Sequence, residues 1–176
     1  MTHPRDVLLG AAAAAPLPVC DHYCGVEARM VKSLALQVEL AQEFGACVFD
    51  VTLDCEDGAP VGGERDHAFM VAALAKQAYD AAKSIATHEP LRVAARVHAV
   101  DHPAFEQDVD IVVGGAAQAL CHVMIPKVDS LAELERAVAC IDHATSASHR
   151  ADLLPIHVLI ESPAGLQSCA DIVSHP

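Results

Sequence analysis

The sequence contains no tryptophan, and only 3% of its 176 residues are aromatic although 53% are apolar. A core built from alanine, valine, leucine and isoleucine rather than from aromatic rings is typical of layered α/β folds. The sequence also lacks a C-x-x-C pair, and its seven cysteines are scattered along the chain. This distribution disfavours a disulfide framework and a structural zinc site, and it indicates reduced thiols in the cytoplasm.

Three further absences exclude or disfavour classes of function. No run of Lys and Arg occurs and the net charge is −13, so we expect no nucleic-acid partner and no binding to anionic membranes. No apolar run reaches the roughly 18 residues that a membrane-spanning helix needs. No G-x-G-x-x-G motif follows a predicted strand, which disfavours a Rossmann nucleotide site. The length suits one domain, expected at residues 17–176 behind an Ala-rich lead at residues 1–16.

Hydrophobic periodicity predicts five strands, each followed by a helix. The strands are predicted at residues 17–21, 46–54, 91–99, 120–128 and 156–161. The helices are predicted at residues 26–44, 66–87 and 101–115, then after a Ser130 and Glu133 capping box, and last after Ser162 with Pro163 as first helical residue. Strict alternation of strands and helices predicts a parallel sheet with right-handed crossovers, either an α/β barrel or an open doubly wound sheet.

The second predicted strand runs into a stretch, Phe49–Pro60, that carries more carboxylates than a turn needs. With a period of two, the apolar side chains point to one face of the strand, while Asp50 and Asp54 point to the other. Glu56 and Asp57 follow directly. Because like charges this close disfavour ionisation, we expect cations among them, either a metal ion or basic side chains. The alternative is a solvated acidic turn that only ends the strand.

Charged side chains recur at the ends of the predicted strands. They are Asp54, Glu56 and Asp57 after the second strand, Arg96 and His98 after the third, Lys127 after the fourth and Glu161 after the fifth. Carboxyl ends of parallel strands meet at one edge of a sheet, so this distribution is the one expected of a (β/α)₈ active site.

Each of these residues also has a structural explanation. Arg96 could hold the acidic loop by a salt bridge, and Lys127 could extend into solvent from the end of its strand. Glu161 could be an acid beside a helix N-terminus, where the helix dipole favours it. His98 and His102 flank Asp101, which we interpret as a solvated loop rather than a second metal site.

Four motifs occur in order along the chain, with one βα unit between each and the next. They are Phe49-Asp50 with Glu56-Asp57-Gly58-Ala59-Pro60, Arg96-Val97-His98, Ile125-Pro126-Lys127-Val128-Asp129-Ser130, and Ile160-Glu161-Ser162-Pro163-Ala164-Gly165-Leu166. Together they cover nearly the whole chain from about residue 17. This combination resembles the HpcH/HpaI aldolase and citrate lyase β-subunit superfamily, to which malyl-CoA lyases also belong.

The resemblance implies a TIM (β/α)₈ barrel, here an incomplete barrel of about five βα units. It also implies Mg²⁺ and cleavage or formation of a carbon–carbon bond next to a carbonyl, typically in a 3-hydroxyacyl-CoA, so that coenzyme A enters as part of the substrate. Glu161 carries over as a metal ligand that also contacts substrate, and Arg96 as the residue that binds the substrate carbonyl or carboxylate. Glu56 and Asp57 would hold metal-bound waters and the loop. Lys127, like Arg96, would be a cation that stabilises negative charge on the substrate.

The chain departs from the family pattern in two respects. The family barrel has eight strands, and its second acidic metal ligand and general base are expected beyond Pro176. We therefore expect the chain alone to be inactive and, with unpaired sheet edges, to form homo-oligomers or aggregates. One alternative is a class II aldolase acting on a 2-oxo acid, for which His22 is the only candidate base. Another is a non-catalytic fragment or interaction subunit that has kept the motifs.

Overall fold

The computed structural model describes residues 20–83, 91–148 and 150–175, which contain a five-stranded sheet. The strands are β1 (Asp21–Cys24), β2 (Asp50–Asp54), β3 (Val93–Arg96), β4 (Val123–Ile125) and β5 (Ile156–Val158). They lie side by side in sequence order, and every neighbouring pair is parallel. The predicted α/β architecture is confirmed, as five successive βα units of an incomplete barrel.

Helices follow the strands. They are α1 (Glu27–Phe44), α2 (Glu64–Ala82), α3 (Phe105–Asp108), α4 (Gly114–Ala116), α5 (Leu131–Ala147) and α6 (Pro163–Val173). A π-helical segment, Val109–Val113, joins α3 to α4, and a short 3-10 segment, Ala117–Ala119, follows α4. Within the described ranges, no helix combines the length and apolarity that crossing a membrane requires.

Several predicted boundaries differ from the observed ones. β1 begins at Asp21, where the predicted first strand ends, and residues 17–19 lie outside the described residues, as do the lead at 1–16 and residues 84–87 of the second predicted helix. Pro103 does not begin a helix. It lies in a turn, in which the His102 ring accepts the Ala104 N–H at 3.1 Å, and α3 begins only at Phe105.

The two faces of the sheet differ in polarity, as the alternation in β2 predicts. The face packed against the helices is apolar and fully buried, with Val51, Leu53, Val93, Ala95, Val97, Val123 and Ile125. The inner face carries polar and charged side chains, among them Asp50, Thr52, Asp54, Arg92, Arg96 and His122. Because the apolar outer face forms the core, the inner face can carry the polar and charged side chains of a functional site.

Gly45, Ser130 and Ser162 stand at helix ends, as the sequence predicts. Gly45 ends α1 in the left-handed conformation, at φ 71°, and its N–H donates to Ala41 O. The Ser130 hydroxyl accepts the Glu133 N–H at the start of α5, which is one half of the predicted capping box, whereas the Glu133 carboxylate accepts the N–H of Asp129 rather than that of Ser130. Ser162 caps α6 in the same way. The two capped helices therefore begin just after the strand ends that carry Lys127 and Glu161.

The loops after β1 and β2 touch each other through two glycines. A Cβ added to Gly25 would lie 2.4 Å from Gly58 Cα, and one added to Gly58 would lie 2.3 Å from Gly25 Cα. Neither position can carry a side chain without moving backbone. This contact fixes the loop that carries Glu56 and Asp57 against the loop after β1.

Replacing Gly58 by Ala should therefore destabilise the protein. We expect the free energy of unfolding to fall by about 1–3 kcal/mol, the usual cost of overpacking, in urea titrations followed by circular dichroism. Gly114→Ala is the matched control, because its Cβ would meet nothing within 4 Å and its backbone is helical. The control should be neutral or stabilising by up to about 1 kcal/mol. Equal effects at the two positions would contradict the close contact.

A buried aspartate attaches the irregular helical segment to the end of β3. Asp108 is fully buried, and its Oδ2 accepts the His98 backbone N–H at 3.0 Å and the His98 Nδ1–H at 2.6 Å. The His98 ring stacks on His102, with 4.2 Å between ring centroids. The hydrogen bond to Asp108 raises the pKa of His98 in spite of burial. Since His98 is only 5% exposed, its interpretation as part of a solvated loop is wrong.

This pair predicts a pH dependence of stability. Because the pKa of His98 is higher in the folded state, its contribution is complete below its ordinary value of about 6.5 and is lost as the pH rises through the folded value. In urea titrations at several pH values, His98→Gln should remove this part of the decline. The exposed His143→Gln is the control. An unchanged pH profile in His98→Gln would show that the pair does not contribute in this way.

Candidate active site

Asp54 and Arg96 bring the carboxyl ends of β2 and β3 together. They are the last residues of their strands and are direct partners in the sheet register. Arg96 donates from Nε to Asp54 Oδ1 at 2.7 Å and from Nη2 to Asp54 Oδ2 at 2.6 Å. This bidentate arrangement matches the planar guanidinium to the carboxylate. The side chains are 11% and 5% exposed, so loss of either would leave a largely buried charge uncompensated.

The acidic loop after β2 folds back onto the same guanidinium. Arg96 Nη1 lies 2.9 Å from Glu56 Oε2, and Nη2 donates to Asp57 Oδ2 at 2.7 Å. The Glu56 backbone N–H donates to Asp54 Oδ1 at 3.0 Å, which fixes the start of the loop. Burial alone would lower the pKa of Arg96, but its bonds to these carboxylates raise it overall. The predicted cations among the acids therefore include this arginine, and the salt-bridge explanation of Arg96 is observed.

Lys127 brings a second cation to Glu56. Its Nζ lies 2.6 Å from Glu56 Oε1, and this contact raises the pKa of the lysine. Lys127 also has φ 55°, the only positive φ of a non-glycine residue within the described ranges. This conformation costs about 1–2 kcal/mol for a residue with a side chain, and such strain clusters at functional sites. A lysine that only extends into solvent does not explain these observations.

Glu161 lies beyond β5 at the same end of the sheet and is exposed. It lines a cleft of about 360 Å³ together with Lys127, Asp129 and Ser162. Among the described residues, no hydrogen bond or ion pair engages its carboxylate. Ser162, rather than Glu161, caps α6, since its Oγ accepts the Gly165 N–H at 2.9 Å. Glu161 is therefore available to a ligand.

The predicted site residues thus share one end of the sheet, in two groups. Glu56, Asp57, Arg96 and Lys127 are joined by ion pairs, and Glu161, which has no such bond, lines the cleft that Lys127 also borders. Glu56 is 8% exposed and Asp57 73%. The acidic stretch is therefore not simply a solvated turn, although Asp57 at its tip is open to solvent.

The charges at this end leave an acidic excess. Asp54, Glu56, Asp57 and Glu161 carry four negative charges against two positive ones, on Arg96 and Lys127, a formal balance of −2. The acidic donors are all oxygens, which suits Mg²⁺, a cation that is usually bound through one or two carboxylates and keeps several waters. Neither cluster of three or more His, Cys, Asp or Glu found in the described residues includes Glu161. The described chain therefore fits Mg²⁺ by the Glu161 carboxylate and the other acids that line the cleft, Asp101, Asp129 and Glu133, rather than by ligands already close enough to share one ion.

Tyr23 is a neighbour of the site that was not predicted from the sequence. Its ring lies 5.5 Å from the Arg96 guanidinium carbon, and its hydroxyl donates to the Met124 sulfur at 2.7 Å. Burial, followed by the charge of Asp21, raises the pKa of Tyr23. The predicted first strand stopped at Asp21 and left Tyr23 in a loop. Continuing the alternation by two residues would have placed it on the inner face.

Asp50 lies at the opposite end of β2 from the acidic loop. Four residues of strand separate it from Asp54 by about 13 Å. Arg92 binds it through Nε to Oδ1 at 2.7 Å and Nη2 to Oδ2 at 3.1 Å. The Gln37 amide donates to the carbonyl oxygens of Phe49 and Arg92, each at 2.8 Å, and so holds the start of both strands. Asp50 is therefore part of a separate polar group at the amino ends of the strands.

Comparison with known protein families identifies one match. The sequence matches the HpcH/HpaI aldolase/citrate lyase family over residues 33–176. No match was found among curated protein sequences. The matched range contains all four motifs on which the resemblance was based.

Solved structures give a consistent result. A citrate lyase from Burkholderia xenovorans LB400 is 35% identical, with a TM-score of 0.76 over 92% of this chain and 46% of that chain. A malate synthase from Haloferax volcanii, in a magnesium/glyoxylate complex, is 16% identical with a TM-score of 0.63 over 86% of this chain and 45% of that one. Its lead(II) complex is 17% identical, with a TM-score of 0.65 over 89% and 45%. The malate synthase comparisons show likeness of fold alone.

The chain spans about half the length of these solved structures. The neighbours are lyases and malate synthases with TIM-barrel-like folds, which agrees with the incomplete barrel described above. The family match covers most of the chain, and the citrate lyase adds a relative at 35% identity. The chain therefore belongs to the HpcH/HpaI aldolase/citrate lyase family.

Proposed function

We propose that this chain supplies one side of the active site of an Mg²⁺-dependent carbon–carbon lyase that acts on a 3-hydroxyacyl-CoA of the citryl-CoA or malyl-CoA type. Its family, described as aldolases and citrate lyases, supports the reaction class. The observation that carries the proposal is the position of Arg96, which is bound to three carboxylates at the strand ends and is linked through Glu56 to Lys127, a residue that lines the cleft with Glu161.

In this proposal, Arg96 binds a carboxylate or carbonyl oxygen of the substrate. Its Nε and Nη2 are engaged by Asp54 and Asp57, whereas the contact of Nη1 with Glu56 Oε2 is an ion pair without hydrogen-bond alignment. Nη1 therefore keeps N–H groups for a ligand. Asp57 is exposed, so it can also give up its bond to Nη2 when an anionic substrate arrives.

The metal would be held in part by Glu161, whose carboxylate is available at the cleft. When bound, Mg²⁺ supplies positive charge at the substrate's oxygen atoms. Lys127 and Arg96 keep Glu56 and Asp57 in place, so that the acidic loop can orient waters at the same cleft. Loss of this support would loosen the geometry on which charge stabilisation depends.

The proposed reaction breaks the bond between the α and β carbons of the thioester. The β-hydroxyl loses its proton and becomes the carbonyl group of the oxo product. The bonding electron pair moves to the α carbon and is delocalised onto the thioester oxygen as an enolate, and protonation of that carbon then gives the acyl-CoA. Negative charge develops on oxygen during cleavage, so a fixed cation beside that oxygen, as Arg96 would be, accelerates this step.

The alternative of a class II aldolase acting on a 2-oxo acid loses its candidate base. His22 pairs with Val51 in the sheet register, and its ring contacts Phe49 edge-on at 6.4 Å between centroids. Val51 belongs to the apolar face, so His22 points away from the face that carries Tyr23 and Arg96. The lyase is therefore the function that we propose.

Glu161→Gln should abolish Mg²⁺-dependent cleavage of malyl-CoA or citryl-CoA at limiting Mg²⁺, because it removes a charged ligand from a hard cation. The measurement is initial rate against Mg²⁺ concentration in a complete homologue that carries the same residue. The control is Glu43→Gln, an exposed acid on α1. Unchanged rates in Glu161→Gln would refute the role of this residue as a ligand.

In the same complete homologue, Arg96→Lys should lower kcat/KM by at least about tenfold, because one charge-assisted hydrogen bond is worth about 1.5–3 kcal/mol and lysine lacks the bidentate fork. Circular dichroism and thermal unfolding of the variant separate lost catalysis from lost folding. Arg29→Lys, an exposed arginine on α1, is the control. A loss of less than about threefold in a folded Arg96→Lys protein would limit Arg96 to its salt bridges.

We further propose self-association of the chain and a cytoplasmic location. Seven free cysteines support the location. Within the described residues, β5 pairs only with β4, and exposed apolar side chains lie nearby, such as Leu153 (83% exposed) and Val173 (72% exposed). A strand edge beside apolar surface is a template for pairing with another copy.

The association predicts a mass above that of the monomer in light scattering, rising with protein concentration. Val173→Lys should shift the mass towards the monomer, because it places a charge on the apolar surface beside β5. Val61→Lys is the control, since Val61 is fully exposed in the loop after β2. A monomeric mass for the unmodified chain at all concentrations would contradict self-association.

A further inference from the structure

A second group of ligand-type side chains lies on the inner face of the sheet, at the amino ends of the strands. Asp21 begins β1, His122 directly precedes β4 and His157 is in the middle of β5. One ligand atom from each of the three lies within 4.8 Å of the others. In the sheet register, Asp21 pairs with Asp50, four residues and about 13 Å before Asp54 on β2, whereas His157 pairs with Met124, which pairs with Arg96. The group belongs to neither the motifs nor the proposed lyase chemistry.

His122 is the most informative member of the group. Its side chain is 1% exposed, and its Nε2 is buried without a hydrogen-bond partner. The Asp21 carboxylate is 3.5 Å from this nitrogen, which makes a long and weak contact. A buried imidazole nitrogen without a partner costs free energy unless something binds it. Here that nitrogen faces the Asp21 carboxylate, and the His157 ring is stacked on the His122 ring.

A neighbouring group, Asp50, Cys121 and His122, is less suited to bind a metal ion. Its single carboxylate, Asp50, is bound in bidentate fashion by Arg92, which satisfies its charge and would compete with a cation. The combination of Asp50, Cys121 and His122 is therefore a poor cation site, although these atoms are also close together. Asp21, His122 and His157 remain.

Asp21 is held in place for such a role. Both of its carboxylate oxygens lie 2.8 Å from the Thr52 hydroxyl, which can donate to one of them at a time. Thr52 is fully buried, so its position on β2 is fixed. Support of this kind, in which a hydrogen bond orients a metal-binding carboxylate, is usual in metal sites.

We propose that Asp21, His122 and His157 bind a divalent transition metal ion, with Zn²⁺ as the representative case. Two imidazoles and one carboxylate form a mixed nitrogen and oxygen set that suits Zn²⁺ and its first-row neighbours and that Mg²⁺ disfavours. A tetrahedral ion with bonds of about 2 Å needs ligand atoms roughly 3.3 Å apart, so the ligand atoms, which lie within 4.8 Å of one another, must move closer to bind it. Three protein ligands leave the fourth position for water or another small ligand.

Binding requires one histidine to turn. The rings of His122 and His157 are stacked, with 3.7 Å between centroids and 19° between planes. Stacked rings cannot both direct a nitrogen lone pair at one ion, because the ion must lie near the plane of each ring. His157 is exposed and borders an open cavity of about 880 Å³, so it has room to rotate, and the cavity gives the ion a path. Metal binding should therefore break the stack.

The test is a titration of the full chain, in the oligomeric state in which it purifies, with Zn²⁺ against a chromophoric chelator. Excess Mg²⁺ is present to occupy oxygen-only sites. We expect one Zn²⁺ per chain, and His157→Gln should weaken its binding by at least about tenfold, since loss of even a supporting group costs a metal site 10- to 100-fold. His143→Gln, an exposed histidine on α5, is the matched control and should bind as the unmodified chain does.

A second measurement guards against binding by cysteines. Co²⁺ in place of Zn²⁺ should give the weak visible bands of a nitrogen and oxygen site, without the strong near-ultraviolet absorption of a cobalt–thiolate bond. His122→Gln should reduce binding as well. Because His122 is buried, its substitution can also disturb folding, so the decisive variant is His157→Gln at the exposed position. The proposal is overturned if no Zn²⁺ binds, if His157→Gln binds Zn²⁺ as tightly as His143→Gln, or if thiolate absorption accompanies the bound Co²⁺.

Discussion

The carboxyl-end site depends on one largely buried ion pair, between Asp54 and Arg96. The parallel register makes these two residues direct neighbours. The same guanidinium also forms ion pairs with Glu56 and Asp57 of the loop after β2. Without Arg96, three carboxylates would repel one another at the end of β2. Breaking a buried pair of this kind costs about 3–5 kcal/mol. The same arginine therefore holds the loop together and, in our proposal, meets the substrate.

The inner face of the sheet is polar at both of its ends, and each end balances its charge differently. At the carboxyl ends, the acids exceed the cations and Glu161 has no ionic partner among the described residues. At the amino ends, Arg92 satisfies Asp50, and two stacked histidines face Asp21. The apolar packing of the outer face supplies the core, so neither polar group has to contribute to it. One sheet can therefore carry an oxygen-rich site and a nitrogen-containing site without mixing their ligands.

Periodicity and strand-end chemistry predicted most of the fold and brought Glu56, Asp57, Arg96 and Lys127 to one edge of the sheet, because both follow from local rules that the sequence displays. Side-chain pairing between strands could not be predicted from the sequence. Asp50 was grouped with the acidic loop, although it lies at the other end of β2, four residues before Asp54. Asp21, His122 and His157 come close together only because three separate strands are neighbours in the sheet, and no spacing in the sequence indicates this cluster.

The central claim is that the carboxyl-end residues bind an oxo acid together with Mg²⁺. Calorimetric titration of the protein with oxaloacetate, with and without Mg²⁺, tests it most directly, because it measures binding and does not require turnover. We predict that oxaloacetate binds with Mg²⁺ present and at least about tenfold more weakly without it, as expected when substrate and protein carboxylates share one hard cation. Equal affinity in both conditions, or no binding in either, would contradict the account.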